Sequence, residues 1–407
     1  MTVVEVVARA KADAVREIEQ LVCHPRLPLF AVVDAERPAI HVWSHEAGRL
    51  NELAAVGTTS EPYGDSFGWA RMKRAPALAW HPHQQLLVAS TELGGSVKWT
   101  QAGFSELEGV PAGARYRYLA FSSDGRALWG SPSSAGGKDA WQSSDVIDLD
   151  SGTVGTGPQW DTGVAAHPGG GLVLTLASDQ GATLGLFARV DDESAPGAMR
   201  ILRRALILDA DSYSTPIFSA DGRHFAVRGN AYGHILEVFE FPSLRRVLAT
   251  SLDEPGRRNR DDIGFGARPG LLWIGRPSGT LVELDLQAQS AIEHDVLPGT
   301  PFSVLSATAA GDLLIASDDG ELMLVSVIAD TAPETVAAFL DSTSEVPDNS
   351  NPEPHLILTN GTRTWDAEGL ETVTAAEATD PVVVAAPGRR QQSTRHRRLS
   401  VPAAPRH

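Results

Sequence analysis

Three histidines, His24, His81 and His167, each precede a proline in a short turn between two apolar runs. Three imidazoles are a donor set for zinc, but zinc needs every ligand about 2 Å from one ion. The three sit at equivalent positions of separate sequence units, which holds them apart. The expected role of each is to bond the backbone of its own turn, with no metal. "GDSFG" from Gly64 to Gly68 matches a nucleophile elbow, a turn that needs a buried strand before its serine and a helix after it. Ser66 instead lies in a polar connection with no room for a hydrolase domain around it. Asp209 and Asp211 offer a cation two oxygens, short of the about six that calcium takes.

The remaining chemistry is recognition. The longest polar connection, "GTTSEPYGDSFGWARMKRA" from Gly57, carries Tyr63, Phe67, Trp69, Arg71, Lys73 and Arg74. A second, "DEPGRRNRDD" from Asp253, carries Arg257, Arg258 and Arg260, and a third, "GNAYGH", carries Asn230, Tyr232 and His234. Aromatics and arginines dominate interface hot spots, and binding residues concentrate in loops on rigid scaffolds. The expected partner-binding set is Tyr63, Trp69, Arg71, Lys73, Arg74, Tyr232, Arg257, Arg258 and Arg260, forming a local positive patch on an acidic body. The competing expectation is that Trp69 packs under its own loop and the charges are merely solvated.

The elements that position these residues come from a degenerate repeat. Seven copies of a short apolar strand, a turn and a second apolar strand run along the chain, and in five of them the turn is His-Pro-x or Ser-x-Asp-Gly. Examples are "LVCHPRLPLFAVVD" from Leu21, "LAWHPHQQLLVAST" from Leu78, "LAFSSDGRALWGSP" from Leu119 and "PIFSADGRHFAVRG" from Pro216. A third strand follows each, as in "AIHVWS" from Ala39 and "TLVELDL" from Thr280, alternating apolar and polar residues as a half-buried strand requires. A fourth, more polar strand follows, as in "RLNELAAV" from Arg49. No long amphipathic helix intervenes. One such unit cannot bury its own apolar face, and a period of roughly 45 residues is that of a four-stranded propeller blade. The predicted architecture is an all-β, seven-bladed β-propeller of antiparallel blades over 1–327. An acidic linker with a short β-like patch should cover 328–380, and a basic, irregular tail 381–407. The last blade needs an outer strand from elsewhere. "TVVEVVAR" from Thr2 is preferred over "ETVAAFL" from Glu334, and either removes an exposed sheet edge.

The units resemble the WD-repeat β-propeller superfamily in its degenerate bacterial form. The resemblance covers about three quarters of the chain. It rests on "F-S-x-D-G-x-x-L" from Phe121 to Leu128, "F-S-A-D-G-R-x-F" from Phe218 to Phe225, and the third-strand endings at Trp43 and Trp99. The Trp-Asp pair of that family is absent from every unit: Ser44 follows Trp43, and Thr100 follows Trp99. The one Trp-Asp, Trp365-Asp366, lies beyond the repeats. The resemblance implies a scaffold that binds a protein partner, with no cofactor and no catalysis. The alternative class is a propeller enzyme, lactonase-like or another metal-dependent hydrolase, or a small-ligand binder using the central channel. Its candidates are Asp34, Glu92, Asp179, Asp318 and Asp319, in or near loops between second and third strands.

Composition narrows the partners. The 407 residues carry a net charge of −17, which disfavours nonspecific binding to nucleic acid or anionic membrane. The positive charge gathers at the end: 381–407 holds six arginines and no acid, whereas 328–380 holds eleven acids against Arg363. That tail is the one element expected to meet nucleic acid or an acidic partner. The single cysteine, Cys23, allows no disulfide framework and is expected to be a small core residue. No apolar run is long enough for a membrane span, and the N-terminus lacks a signal-peptide pattern. The expected compartment is the cytoplasm.

Overall fold

A computed structural model describes residues 4–12, 14–66, 68–92, 94–134, 143–179, 182–191, 197–208, 213–229, 234–252, 262–327, 339–340, 357–359 and 364–366. Strand β1 (Glu5–Lys11) comes first in the chain and last in the ring. Blade 1 follows as β2 (Ile18–Cys23), β3 (Leu29–Asp34), β4 (Ile40–Glu46) and β5 (Arg49–Val56). A short helix, α1 (Gly68–Met72), precedes blade 2: β6 (Leu78–Trp80), β7 (Leu87–Ser90), β8 (Ser96–Thr100) and β9 (Gly103–Glu106). Blade 3 is β10 (Tyr118–Phe121), β11 (Ala127–Ser131), β12 (Ser144–Asp148) and β13 (Val154–Gly157). Blade 4 is β14 (Ala165–Ala166), β15 (Leu172–Asp179), β16 (Ala182–Arg189) and β17 (Arg200–Leu208). Blade 5 is β18 (Ile217–Phe218), β19 (His224–Arg228), β20 (Ile235–Glu240) and β21 (Arg246–Ser251). Blade 6 is β22 (Ile263–Phe265), β23 (Leu271–Gly275), β24 (Thr280–Asp285) and β25 (Ser290–Asp295). Blade 7 is β26 (Phe302–Ala307), β27 (Leu313–Ser317) and β28 (Glu321–Ser326), completed by β1.

The molecule is thus the seven-bladed propeller that the repeat predicts. Its closure is the N-terminal one: β1 runs antiparallel to β28, from Glu5 opposite Ser326 to Lys11 opposite Glu321. The join is tightened at Gly320, where φ is +79° and a Cβ would lie 2.4 Å from the Val15 carbonyl oxygen. Only a residue without a side chain fits there.

Burial explains why the second strands were the clearest sequence signal. Strands β3, β7, β11, β19, β23 and β27 are buried at every position, since blades pack on both of their faces. Successive side chains point to opposite faces, and each face feeds a different seam. Leu29 and Ala31 join the core between blades 1 and 2, while Phe30 and Val32 join the core between blades 7 and 1. The seven apolar clusters map one to each of the seven seams. Among the outer strands, β25 is exposed along nearly its whole length, whereas β17 buries Ile201, Leu202, Leu206 and Leu208. Cys23 packs at the edge of the seam between blades 7 and 1, and burial pushes its thiol up to about 11.

Antiparallel order puts the turns joining first to second and third to fourth strands on one face, the turn face. Loops joining second to third strands, and each blade to the next, lie on the opposite linker face. Beyond blade 7, β29 (Ile357–Thr359) and β30 (Thr364–Asp366) form a hairpin. Strand β29 pairs in parallel with β17, so blade 4 has six strands. The β-like patch read from the sequence therefore adds to the outer edge of a blade. The basic tail 381–407 lies outside the described residues.

Candidate functional site

On the linker face, the connection from blade 1 to blade 2 is built around Tyr63. Its backbone N–H donates to the Glu36 carbonyl at 2.7 Å, and its ring is buried, 3% exposed. Two guanidinium groups lie over that ring, Arg71 at 4.8 Å and Arg74 at 5.2 Å from its centroid. Such contacts contribute about 0.5–2 kcal/mol each, more when desolvated. Arg71 also donates to Glu19 at 3.0 Å and to the Ala35 carbonyl at 2.6 Å, both in blade 1. Arg74 donates to Glu92 of blade 2 at 2.5 Å and to the Pro62 and Glu61 carbonyls at 3.0 and 2.7 Å. The Met72 sulfur accepts from Arg117, beside the first strand of blade 3, at 3.1 Å. The segment is therefore tied to three blades in succession.

Two of the expected contact arginines thus hold the loop together. Their charge faces Glu19 and Glu92, and Tyr63 is an internal anchor. Burial, helped by Glu19, pushes the Tyr63 phenol well above its usual range. Among the described residues its hydroxyl has no hydrogen-bond partner, and neither does Nε of Arg71. What the arrangement presents outward is the end of α1 and the residue after it: Ala70, Met72 and Lys73 are exposed. Trp69 is on α1, but its side chain lies outside the described residues, as do Tyr232, Arg257, Arg258 and Arg260. Ser66 sits in the turn before α1, where its N–H donates to the Tyr63 carbonyl at 3.1 Å. No long helix follows it, as an elbow would require.

Three of the carboxylates proposed for the channel, Asp34, Glu92 and Asp319, are engaged locally. Asp34 is buried, caps its own turn through the Glu36 N–H at 2.7 Å and faces Arg37 at 3.7 Å. Glu92 holds Arg74. Asp319 accepts the Ser317 hydroxyl, which keeps its carboxyl below the ordinary value. The side chain of Asp179 and residues 209–212 lie outside the described residues. Among the described residues no group of three or more His, Cys, Asp or Glu is placed to hold a metal ion. Among them, too, no helix is long and apolar enough to cross a membrane.

The turn face holds what the sequence suggested less fully. His24 Nδ1 accepts the N–H groups of Arg26 and Leu27, both at 3.0 Å, which is the turn role expected of it. His81 takes those of His83 and Gln84, and His167 takes that of Gly169. The opposite nitrogen reaches the next blade: His24 Nε2 lies 2.9 Å from the Gln84 carbonyl oxygen, and His167 Nε2 lies 3.0 Å from that of Gly222. Since Nδ1 accepts, Nε2 carries the proton and donates, so these rings are neutral. His81 projects onto Gly125 of blade 3, where a Cβ would lie 2.0 Å from Nε2. The glycine of each Ser-x-Asp-Gly turn thus gives passage to the histidine of the blade before it.

Three polar clusters on the linker face were not read from the sequence. Arg228 and Asp262, both buried, pair at 3.1 Å across the seam of blades 5 and 6. Tyr213 donates to Glu237 at 3.2 Å, and Glu237 pairs with Arg246 at 3.2 Å. Tyr116 donates to Asp145 at 2.8 Å and lies over Gly130, as Tyr213 lies over Gly229. A tyrosine entering a blade, a glycine in or directly after its second strand and an acid in its third recur in blades 3 and 5. That recurrence was available as a sequence signal.

No family model matches the chain, and no curated protein does.

Proposed function

We propose that this propeller is a non-enzymatic interaction scaffold, of the general kind formed by WD-repeat proteins, that binds a protein partner through its linker face. The observation that carries the reading is the construction of residues 57–77. Tyr63, Arg71 and Arg74 fasten this connection to blade 1 and blade 2, and Met72 touches blade 3. The result is a short helix, held above a rigid ring, with Ala70, Met72 and Lys73 outward. A prearranged surface loses little conformational entropy on binding, so more of its contact energy appears as affinity. Tyr232, Arg257, Arg258 and Arg260, which lie outside the described residues, are proposed to share that contact surface. The Ser-x-Asp-Gly turns at Ser122 and Ser219, each with its serine hydroxyl on the following aspartate, support kinship with WD-repeat blades.

The test is affinity capture from the source cells with the full chain and with an Ala70→Glu variant. Ala70 is exposed, so thermal unfolding should be unchanged. Loss of a stoichiometric protein from the variant alone supports the reading. Equal capture by both chains overturns the assignment of the surface.

A further inference from the structure

One seam of the ring is built differently from the other six. Each of those six apolar clusters draws its described residues from the two adjoining blades and the chain next to them. The cluster between blades 4 and 5 also takes in Phe339, 3% exposed, with Leu340 packed against it. These two residues come from beyond blade 7. The Phe339 ring lies 4.9 Å from that of Phe241 and 5.6 Å from that of Phe187, tilted to both. Phe187 belongs to β16 and Phe241 follows β20, so the aromatic walls come from both sides of the seam. Leu340 lies over the blade 4 turn, where a Cβ at Gly171 would be 3.3 Å from its Cδ1. Among the described residues, blade 4 is the one whose outer edge is extended, by β29 in parallel with β17.

A phenylalanine-leucine pair in an acidic, polar stretch, followed by a short extended segment, has the make-up of a peptide ligand: an aromatic anchor and a strand that adds to a sheet edge. Blades 4 and 5 have four strands each without it. We propose that the turn-face socket between blades 4 and 5, with the outer edge of β17, is a peptide-docking site for a Phe-Leu segment, and that its occupant in cis is the chain's own Phe339–Leu340, with Ile357–Thr359 on β17. These pieces then form a detachable clasp on the ring. This site is on the opposite face from the one assigned to the partner, so either can fail without the other.

The test uses the full chain and a fluorescein-labelled peptide of residues 331–345. A tethered ligand acts at about millimolar effective concentration. The peptide should therefore bind a Phe339→Ala, Leu340→Ala variant at least tenfold more tightly than it binds the unaltered chain. A peptide carrying Phe339→Ala should bind neither. Absence of binding to the variant, or equal binding to both chains, overturns the proposal. Should the variant fail to fold, the unaltered chain decides. Millimolar peptide must then speed proteolytic cleavage within 341–356, and an unchanged cleavage rate overturns the proposal. Sedimentation must show a monomer, since a dimer held by exchanged segments would place a second copy in the socket.

Discussion

Replacing His24 separates the two tasks of the turn-face histidines. The ring is fully buried, so nothing solvates what it leaves behind. His24→Ala removes the acceptor for the Arg26 and Leu27 N–H groups and the donor to the Gln84 carbonyl. At about 1 kcal/mol net per bond, the loss is about 3 kcal/mol, before any cost of the space left beside Trp80. His24→Asn behaves differently. An asparagine carbonyl oxygen caps N–H groups two residues ahead, as in an Asx turn, so the turn survives and only the bond to blade 2 is lost. The Gln84 carbonyl keeps the Leu86 N–H at 2.7 Å and is not left bare. The expected cost of His24→Asn is therefore about 1 kcal/mol. Urea unfolding at pH 8, with the slope unchanged so that midpoints compare directly, measures both. Equal losses for the two variants would refute the division between turn and seam.

The same histidines predict the response to acid. Burial holds the pKa of both His24 and His81 below the ordinary histidine value. Their stabilisation is complete above about pH 6.5, where the unfolded chain is also neutral. Below that the unfolded state takes up protons first, so stability falls as pH drops toward the lowered folded values. His45 and His224 are shifted in the same direction for the same reason and add to the slope. Asparagine does not titrate, so a His24→Asn, His81→Asn chain should lose less stability between pH 7.5 and 5 than the unaltered chain. Parallel curves for the two would refute the assignment of neutral rings.

Other substitutions test other joints. Gly125→Ala forces a side chain onto a φ of +76° and into His81; strain and overpacking together should cost about 3 kcal/mol, and His81→Ala should recover part of it in a double-mutant cycle. Tyr63→Phe removes a buried hydroxyl without a hydrogen-bond partner among the described residues, so the urea midpoint should stay within about 0.5 kcal/mol, whereas Tyr63→Ala should cost about 3 kcal/mol. Deleting 1–12 strips β28 of its outer partner and should lower the melting temperature and promote association through the bared edge; an unchanged melting curve would argue against closure by β1.

What was legible in the chain was whatever the period repeats. The second strands read as apolar runs because both faces are covered, and His-Pro and Asp-Gly marked the turns because their geometry is local. The contacts that escaped join residues far apart in sequence. His24 meets a carbonyl 60 positions on, and Arg71 meets Glu19, 52 positions back. An arginine bound for a solvated rim and one bound for a buried tyrosine look alike until the partner is placed, so the contacts of Arg71 and Arg74 with Tyr63 were not legible. Glu334–Leu340 shows the same limit from the other side. Its apolar pattern made it a rival to close blade 7, yet Phe339 settles between blades 4 and 5, where two phenylalanines leave room for a third. Periodicity specifies the ring because each blade repeats one solution, whereas an aperiodic segment takes its place from the surface it covers.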